Sequence, residues 1–242
     1  MGARLGNNQR IGIDGLTSSS PIRFIGTDQQ FTVCVLFRKY TTGSNQFGRL
    51  VSVASGGNGA NGYEACYNYS GINDNRLLGL MNGSGANVLV GTADAYTDGD
   101  YVAAFFQYDR NGNEIIYADY NDGNGLNLLK SAAVYNGSGG TGTVSFMIGG
   151  AGWSTGRDCT ADIYRVLIYG RHLGVPQMEW MVFSNFANRP PEDLTVEYNC
   201  KPHNQFAGDT ITNDIPDLGT SGITLDQRDG SPTVIEGITF EV

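Results

Sequence analysis

Short runs of alternating apolar and polar residues, broken by glycine-rich turns, fill most of this chain. Phe31–Arg38 (FTVCVLFR) puts Phe31, Val33, Val35 and Phe37 on one face and Thr32, Cys34 and Leu36 on the other, the period-two pattern of a strand. It reads as a buried strand. Arg49–Ala54, Tyr63–Tyr69, Arg76–Met81 and Asn87–Thr92 read as further strands, the first two separated by a turn at Gly56–Gly59. Tyr101–Tyr108 (YVAAFFQY) is the most apolar run and is expected in the middle of a sheet. Asp109–Asn113 then reads as a hairpin turn, Glu114–Tyr120 as its return strand and Asn121–Gly123 as another turn. Val144–Ile148 and Ile163–Tyr169 complete the strong strands.

One segment has helical spacing instead. Val175, Met178, Val182 and Phe186 share a face with Met181, Pro176 suits the first turn, and Arg189-Pro190-Pro191 is expected to stop the helix. At roughly 12 residues it spans about three turns and caps a β-fold. Trp180 is expected to pack within it. Alternation then returns in Leu194, Val196, Tyr198 and Cys200, and again in Ile238, Phe240 and Val242, so the tail is expected to be tied into a sheet. The pattern predicts an all-β, two-sheet antiparallel β-sandwich with one short helix. A single domain is expected over 1–242, with 192–242 as a strand-closing segment.

Composition and charge narrow the function. Gly occurs 35 times against 7 Pro, and 16% of residues are charged against 40% apolar, which excludes long solvated helices and disorder. The formal net charge is −9 with no basic run, which argues against a nucleic-acid partner. No stretch approaches the roughly 18 apolar residues of a membrane span. No apolar stretch follows Met1–Arg10 as it would in a secretion signal, so the protein is expected to be made and kept in the cytosol, or to leave it by a route that needs no such peptide. Cys34, Cys66, Cys159 and Cys200 include no C-x-x-C pair. They are expected as buried free thiols, with two disulfides the alternative in a secreted protein, and without the local spacing of a zinc site.

Candidate chemistry is sparse. Glycan hydrolysis needs two carboxylates about 5–9 Å apart. Asp94, Asp98 and Asp100 come closest, but their neighbours read as a loop, and no catalysis is expected. His172 and His203 suggest neither a triad nor a metal cluster, and His172 is expected to cap or pack before the helix. Asp109-x-Asn111-x-Asn113-Glu114 resembles the start of a calcium loop, yet Glu114 and Tyr120 stand where such a loop has Gly and Glu, so a hairpin is expected, as at Asp119–Gly123. Three Asn-x-Ser strings, at Asn68, Asn82 and Asn136, match the glycosylation pattern and mean little without a secretory signal. Trp153 lies in the glycine-rich stretch Gly149–Gly156. It reads as a residue folded back on the sandwich end, an anchor in a protein interface, or a platform for a sugar ring.

A series of short motifs, in order, resembles the concanavalin A-like, laminin-G/pentraxin-type family. They are Phe31-Thr32-Val33, Tyr101 opening an apolar strand, Tyr108-Asp109, Gly112-Asn113, Tyr117-Ala118-Asp119, Ile148-Gly149, and Val166–Leu173 (VLIYGRHL) running into the helix. Tyr198, Gly208, Thr212, Asp214 and Leu225 are similar to the motif that usually opens such domains, which implies a permuted or strand-closing tail. The resemblance implies a jelly roll. The chain departs from it at Tyr101, where the family usually has Trp, and at Tyr164 and Arg165, where it has Asp and Glu. Asp158 and Asp162 are the carboxylates left near that element, and Ca2+ is the one cofactor left open. Two functions are implied. The first is a non-enzymatic bacteriophage virion protein: a capsid decoration, head-fibre or tail surface protein, homo-oligomeric and in contact with other virion proteins. The second is a carbohydrate-binding, lectin-like module taking host glycans. The missing export signal and the missing second domain favour the first. Trp153 and Asp158 are the residues expected to contact a ligand or a neighbouring subunit.

Overall fold

The computed structural model describes residues 2–6, 9–25, 29–40, 47–68, 76–81, 88–90, 99–109, 113–133, 140–154, 156–200, 210, 215, 217–225, 227–229 and 232–235. Among them the strands are β1 (Gly2–Leu5), β2 (Arg10–Leu16), β3 (Gln30–Lys39), β4 (Gly48–Ala54), β5 (Tyr63–Tyr67), β6 (Leu77–Met81), β7 (Val88–Val90), β8 (Tyr101–Asp109), β9 (Asn113–Asp119), β10 (Asn127–Ala133), β11 (Val144–Ile148), β12 (Ala161–Tyr169), β13 (Leu194–Tyr198), β14 (Gln227–Asp229) and β15 (Thr233–Ile235). The helix α1 is Val175–Phe183. The first sheet runs β10-β9-β8-β3-β12-β1-β15, with β13 also paired to β12. The second runs β14-β2-β11-β4-β5-β6-β7. The pairings are antiparallel.

The core lies between the sheets. Phe31, Val33, Val35 and Phe37 from β3 and Phe106 and Tyr108 from β8 meet Val51, Val53, Tyr63, Ala65 and Tyr67 from the facing sheet. Phe31 stacks on Phe24 at 4.6 Å and on Tyr108 at 4.8 Å, and Tyr63 of the opposite sheet closes against it at 4.5 Å. Each such ring is worth about 1.5–3 kcal/mol in burial alone. The other face of the first sheet is covered as well: Cys34, Leu36, Ala103, Phe105 and Leu167 pack under Met178, Met181, Val182 and Phe186. That double cover is why β3 and β8 read as apolar on both faces.

The helix is shorter than its spacing predicts. It ends at Phe183, well before Arg189-Pro190-Pro191. Ser184 Oγ donates to the Trp180 carbonyl at 3.0 Å, and Asn185 and Phe186 turn left-handed at φ 52° and 61°. The turn still delivers Phe186 to the core. Trp180 is a correction: it is 47% exposed, and Phe183 is 63% exposed. Trp180 stands two residues from both Met178 and Val182, which is roughly the opposite side of the helix.

β1 and β2 were not evident from the alternation, and they change how the chain ends are read. β1 lies inside its sheet between β12 and β15, and β2 lies between β11 and β14. Each N-terminal strand therefore has a C-terminal strand beside it, while β13 closes on β12. Ile238, Phe240, Val242, Gly208, Thr212 and Asp214 lie outside the described residues, as do Asp94, Asp98, His203, residues 110–112, and the Asn82 and Asn136 glycosylation strings. All four cysteines are buried and free. His172 packs before the helix, its Nε2 2.9 Å from the Tyr108 carbonyl. No helix among the described residues is long and apolar enough to cross a membrane.

Candidate functional site

Along β4 and β5 the alternation sends Val51, Val53, Tyr63 and Ala65 inward. It sends Ser52 and Glu64, which are cross-strand partners, to the outer face of the second sheet. Glu64 is buried there and collects five donors. Arg49 Nε reaches Oε1 at 3.2 Å and Nη2 reaches Oε2 at 3.0 Å; Ser52 Oγ and the Gly59 N–H each donate at 3.0 Å. The fifth is the indole Nε1 of Trp153, at 3.2 Å from Oε1. The Gly57–Gly59 turn is what brings the Gly59 amide over the strand pair.

Trp153 is half-buried. The Arg49 guanidinium lies 5.3 Å from its ring centroid, within cation–π range. The same guanidinium lies 5.9 Å from the Phe47 ring centroid, and Arg157 lies 5.1 Å over Phe47. Burial works against the Arg49 charge, but the neighbouring Cys66 and Glu64 outweigh it and hold its pKa above the ordinary value. Burial likewise pushes the Cys66 thiol up.

The loop bearing Trp153 is tied from beneath. Arg10 Nη1 donates to the carbonyls of Ala151 and, at 3.1 Å, Ser154. Asp158 is buried 3.9 Å from that Nη1. A Cβ on Gly150 would meet Asp158 Oδ1 at 2.3 Å, and one on Gly152 would meet Ser145 Cβ and Oγ at 2.4 Å, so glycine is required at both places. The structure thus joins the two residues that the sequence singles out, in different roles. Trp153 offers a partly open ring, and Asp158 holds the arginine that holds the loop. Arg49, Glu64 and Phe47 were missed; the only trace of them is a charged pair in strands otherwise apolar.

Glu64 is poorly suited to proton transfer. A carboxylate offers about four lone-pair sites, and five donors already occupy them. At the element where the resemblance leads one to expect Asp and Glu, Tyr164 packs on Tyr101 at 5.9 Å and Arg165 pairs with buried Glu197 at 3.0 Å. Asp162 is bound by Arg4 and Arg38. Among the described residues no three His, Cys, Asp or Glu side chains gather as a metal-holding group.

No protein-family model matches the chain, and no curated protein matches it in sequence. Solved structures do match in shape. A candidate carbohydrate-binding protein from Bacteroides ovatus superposes with a TM-score of 0.61 at 15% identity over 97% of this chain, which spans 60% of that protein's length. The heptameric SAP-like pentraxin of Limulus polyphemus gives 0.51 at 14% identity, covering 76% of this chain and 85% of its own. The enzymatically active domain of tailspike protein 2 from bacteriophage CBA120 gives 0.50 at 12% identity, covering 78% and 32%. The two antiparallel sheets, their one covering helix and these superpositions give the chain the concanavalin A-like, pentraxin-type jelly-roll fold.

Proposed function

We propose that this chain, as one sandwich unit over 1–242, is a non-catalytic glycan-binding domain with Trp153 as its platform. The observation that carries this reading is an indole fixed by Glu64 and Arg49 on a side chain that is only partly buried. Fixing an aromatic face in advance removes ordering cost from binding. The carbohydrate-binding description of the Bacteroides ovatus protein supports the same reading. The five donors that surround the Glu64 carboxylate suit a role in holding the ring. The test is a glycan array followed by titration in a Trp180→Phe background, where Trp153 is the only indole left of two. A bound sugar should change Trp153 emission, and Trp153→Ala should weaken binding at least about tenfold, roughly 1.4 kcal/mol. Turnover of the sugar, or binding indifferent to Trp153→Ala, contradicts the reading.

A second reading places the domain on a bacteriophage virion, as a capsid decoration, head-fibre or tail surface protein held in a homo-oligomer or against other virion proteins. Its support is the outer face of α1, where Trp180 and Phe183, one turn apart, are both exposed, while exposed Glu179 separates them from Val175. An exposed aromatic pair of this kind suits an assembly surface. The tailspike likeness in fold agrees with it. Sizing of the purified chain tests it: an oligomer that dissociates in the Trp180→Gln, Phe183→Gln double variant supports assembly, and a strict monomer opposes it.

A further inference from the structure

On the first sheet, away from the Trp153 surface, four side chains form a row straight across four strands. Arg4 of β1 pairs in register with Asp162 of β12, Asp162 with Arg38 of β3, and Arg38 with Tyr101 of β8. Neighbouring strands lie about 4.8 Å apart, so the row is about 14 Å long. Asp162 is fully buried and acts as a clamp. Arg4 grips it with Nε at 2.8 Å and Nη2 at 3.0 Å, and Arg38 Nη2 grips it at 2.7 Å. Tyr40 also donates to it. Arg38 lies 5.1 Å over both the Tyr40 and the Tyr101 rings, and Arg4 lies 5.3 Å over Tyr40.

We propose that this row is a second ligand site, taking the carboxylate or sulfate group of an acidic saccharide. Two guanidiniums against one carboxylate leave one net positive charge, on a chain whose total is −9. The Arg4 side chain is 51% exposed, and among the described residues its Nη1 makes no hydrogen bond. The Asp162 clamp fixes both guanidiniums before any ligand arrives, which is how charged donors are preorganised. The rings of Tyr40 and Tyr101 flank the charges and hold the Arg38 guanidinium in place by cation–π contact. The occupant is a saccharide and not a protein because the row contains no exposed aliphatic side chain. Protein interfaces are built on apolar centres depleted of charge, whereas a hydrophilic anion needs only the donors and the rings.

The experiment is calorimetric titration of the full chain with a galacturonate trisaccharide and a sulfated galactose trisaccharide, which separate the two anion types. A neutral galactose trisaccharide is the control. Binding of either acidic sugar, weakening as salt is raised from about 50 to 500 mM, is expected. Arg4→Gln should reduce it about tenfold or more, Arg4→Lys less, since the lone charge survives without the fork. Tyr101→Phe removes the hydroxyl that accepts from Arg38 Nη1 at 3.3 Å and guards against an arginine variant that fails to fold; it should weaken binding too. In the Trp180→Phe background the acidic sugar should leave Trp153 emission unchanged, so failure here and failure of the Trp153 platform are told apart. No binding of either acidic sugar at millimolar concentration overturns the proposal. So does equal affinity for the neutral one, or an Arg4-dependent dimer that takes up no sugar.

Discussion

Trp153 and Glu64, 89 residues apart, are joined by an indole N–H donating to a buried carboxylate at 3.2 Å. The bond makes the glycine-rich loop and the β4–β5 pair one assembly, so both stability and ring position should depend on Glu64. In Glu64→Gln one of the two acceptor oxygens becomes an N–H2 facing Arg49, and breaking a buried pair in this way costs roughly 3–5 kcal/mol. Urea unfolding should show that loss. Trp153→Phe keeps a ring near Arg49 and gives up only the hydrogen bond, for about 1 kcal/mol. A Glu64→Gln protein as stable as the parent would separate the loop from the strands.

Arg23 supplies a second test beneath the turn that joins β4 to β5. It is fully buried and donates to four carbonyls: Leu16 at 3.3 Å, Gly142 at 2.8 Å, Asn61 at 2.9 Å and Gly140 at 2.6 Å. Three stretches of chain hang on one guanidinium. Arg23→Met keeps most of the volume and strands those carbonyls, each worth about 1–3 kcal/mol when left without a donor. A loss of at least about 3 kcal/mol in urea unfolding is expected, with proteolysis near Gly140 appearing before global unfolding.

The thiols should be silent in the native state. Burial pushes Cys34, Cys66 and Cys159 well up and Cys200 to about 12. The thiolate is the reactive form. A thiol reagent at pH 8 should therefore modify none of the four until denaturant is added, after which all four should react. The melting temperature should not change with a reducing agent, since no disulfide is present.

The strands that alternate strongly were legible because both neighbours of each position are fixed by burial. β3 and β8 carry Phe31, Val33, Phe105 and Phe106 to two different apolar layers, and nothing else could explain those runs. β1 and β2 were not legible, because Gly2, Gly12 and Gly15 interrupt their pattern. Gly12 is there for contact, since a Cβ would lie 2.1 Å from the Phe146 carbonyl oxygen. Trp180 misled because a helical stripe of Met178, Met181 and Val182 says which side is covered but not that an aromatic will avoid it. The site was half legible: the glycine run around Trp153 announced a shaped loop. Its supports Arg49 and Glu64 come from strands 89 and more residues away, and only the register of β4 on β5 brings them under the ring.

Asp162 gives the stability a defined response to acid. Burial alone would raise its carboxyl pKa, but hydrogen bonds from Arg4, Tyr40 and Arg38 outweigh burial and hold it below the usual carboxylate range. A depressed folded pKa means that the unfolded chain takes up the proton first. The stabilisation is therefore fully present above the unfolded value of about 3.9 and is lost as pH falls through the folded one. Asp119, whose carboxyl is raised by burial, acts in the opposite sense, so the acid profile of the whole protein is not the readout. The difference between parent and Asp162→Asn is. At pH 7 the variant leaves Arg4 and Arg38 without their shared anion and should be less stable by about 3 kcal/mol. That gap should stay constant from pH 7 to about 5 and shrink as pH drops below 4. A gap that widens in acid would mean that Asp162 is protonated in the folded protein and that the two arginines are held by something else.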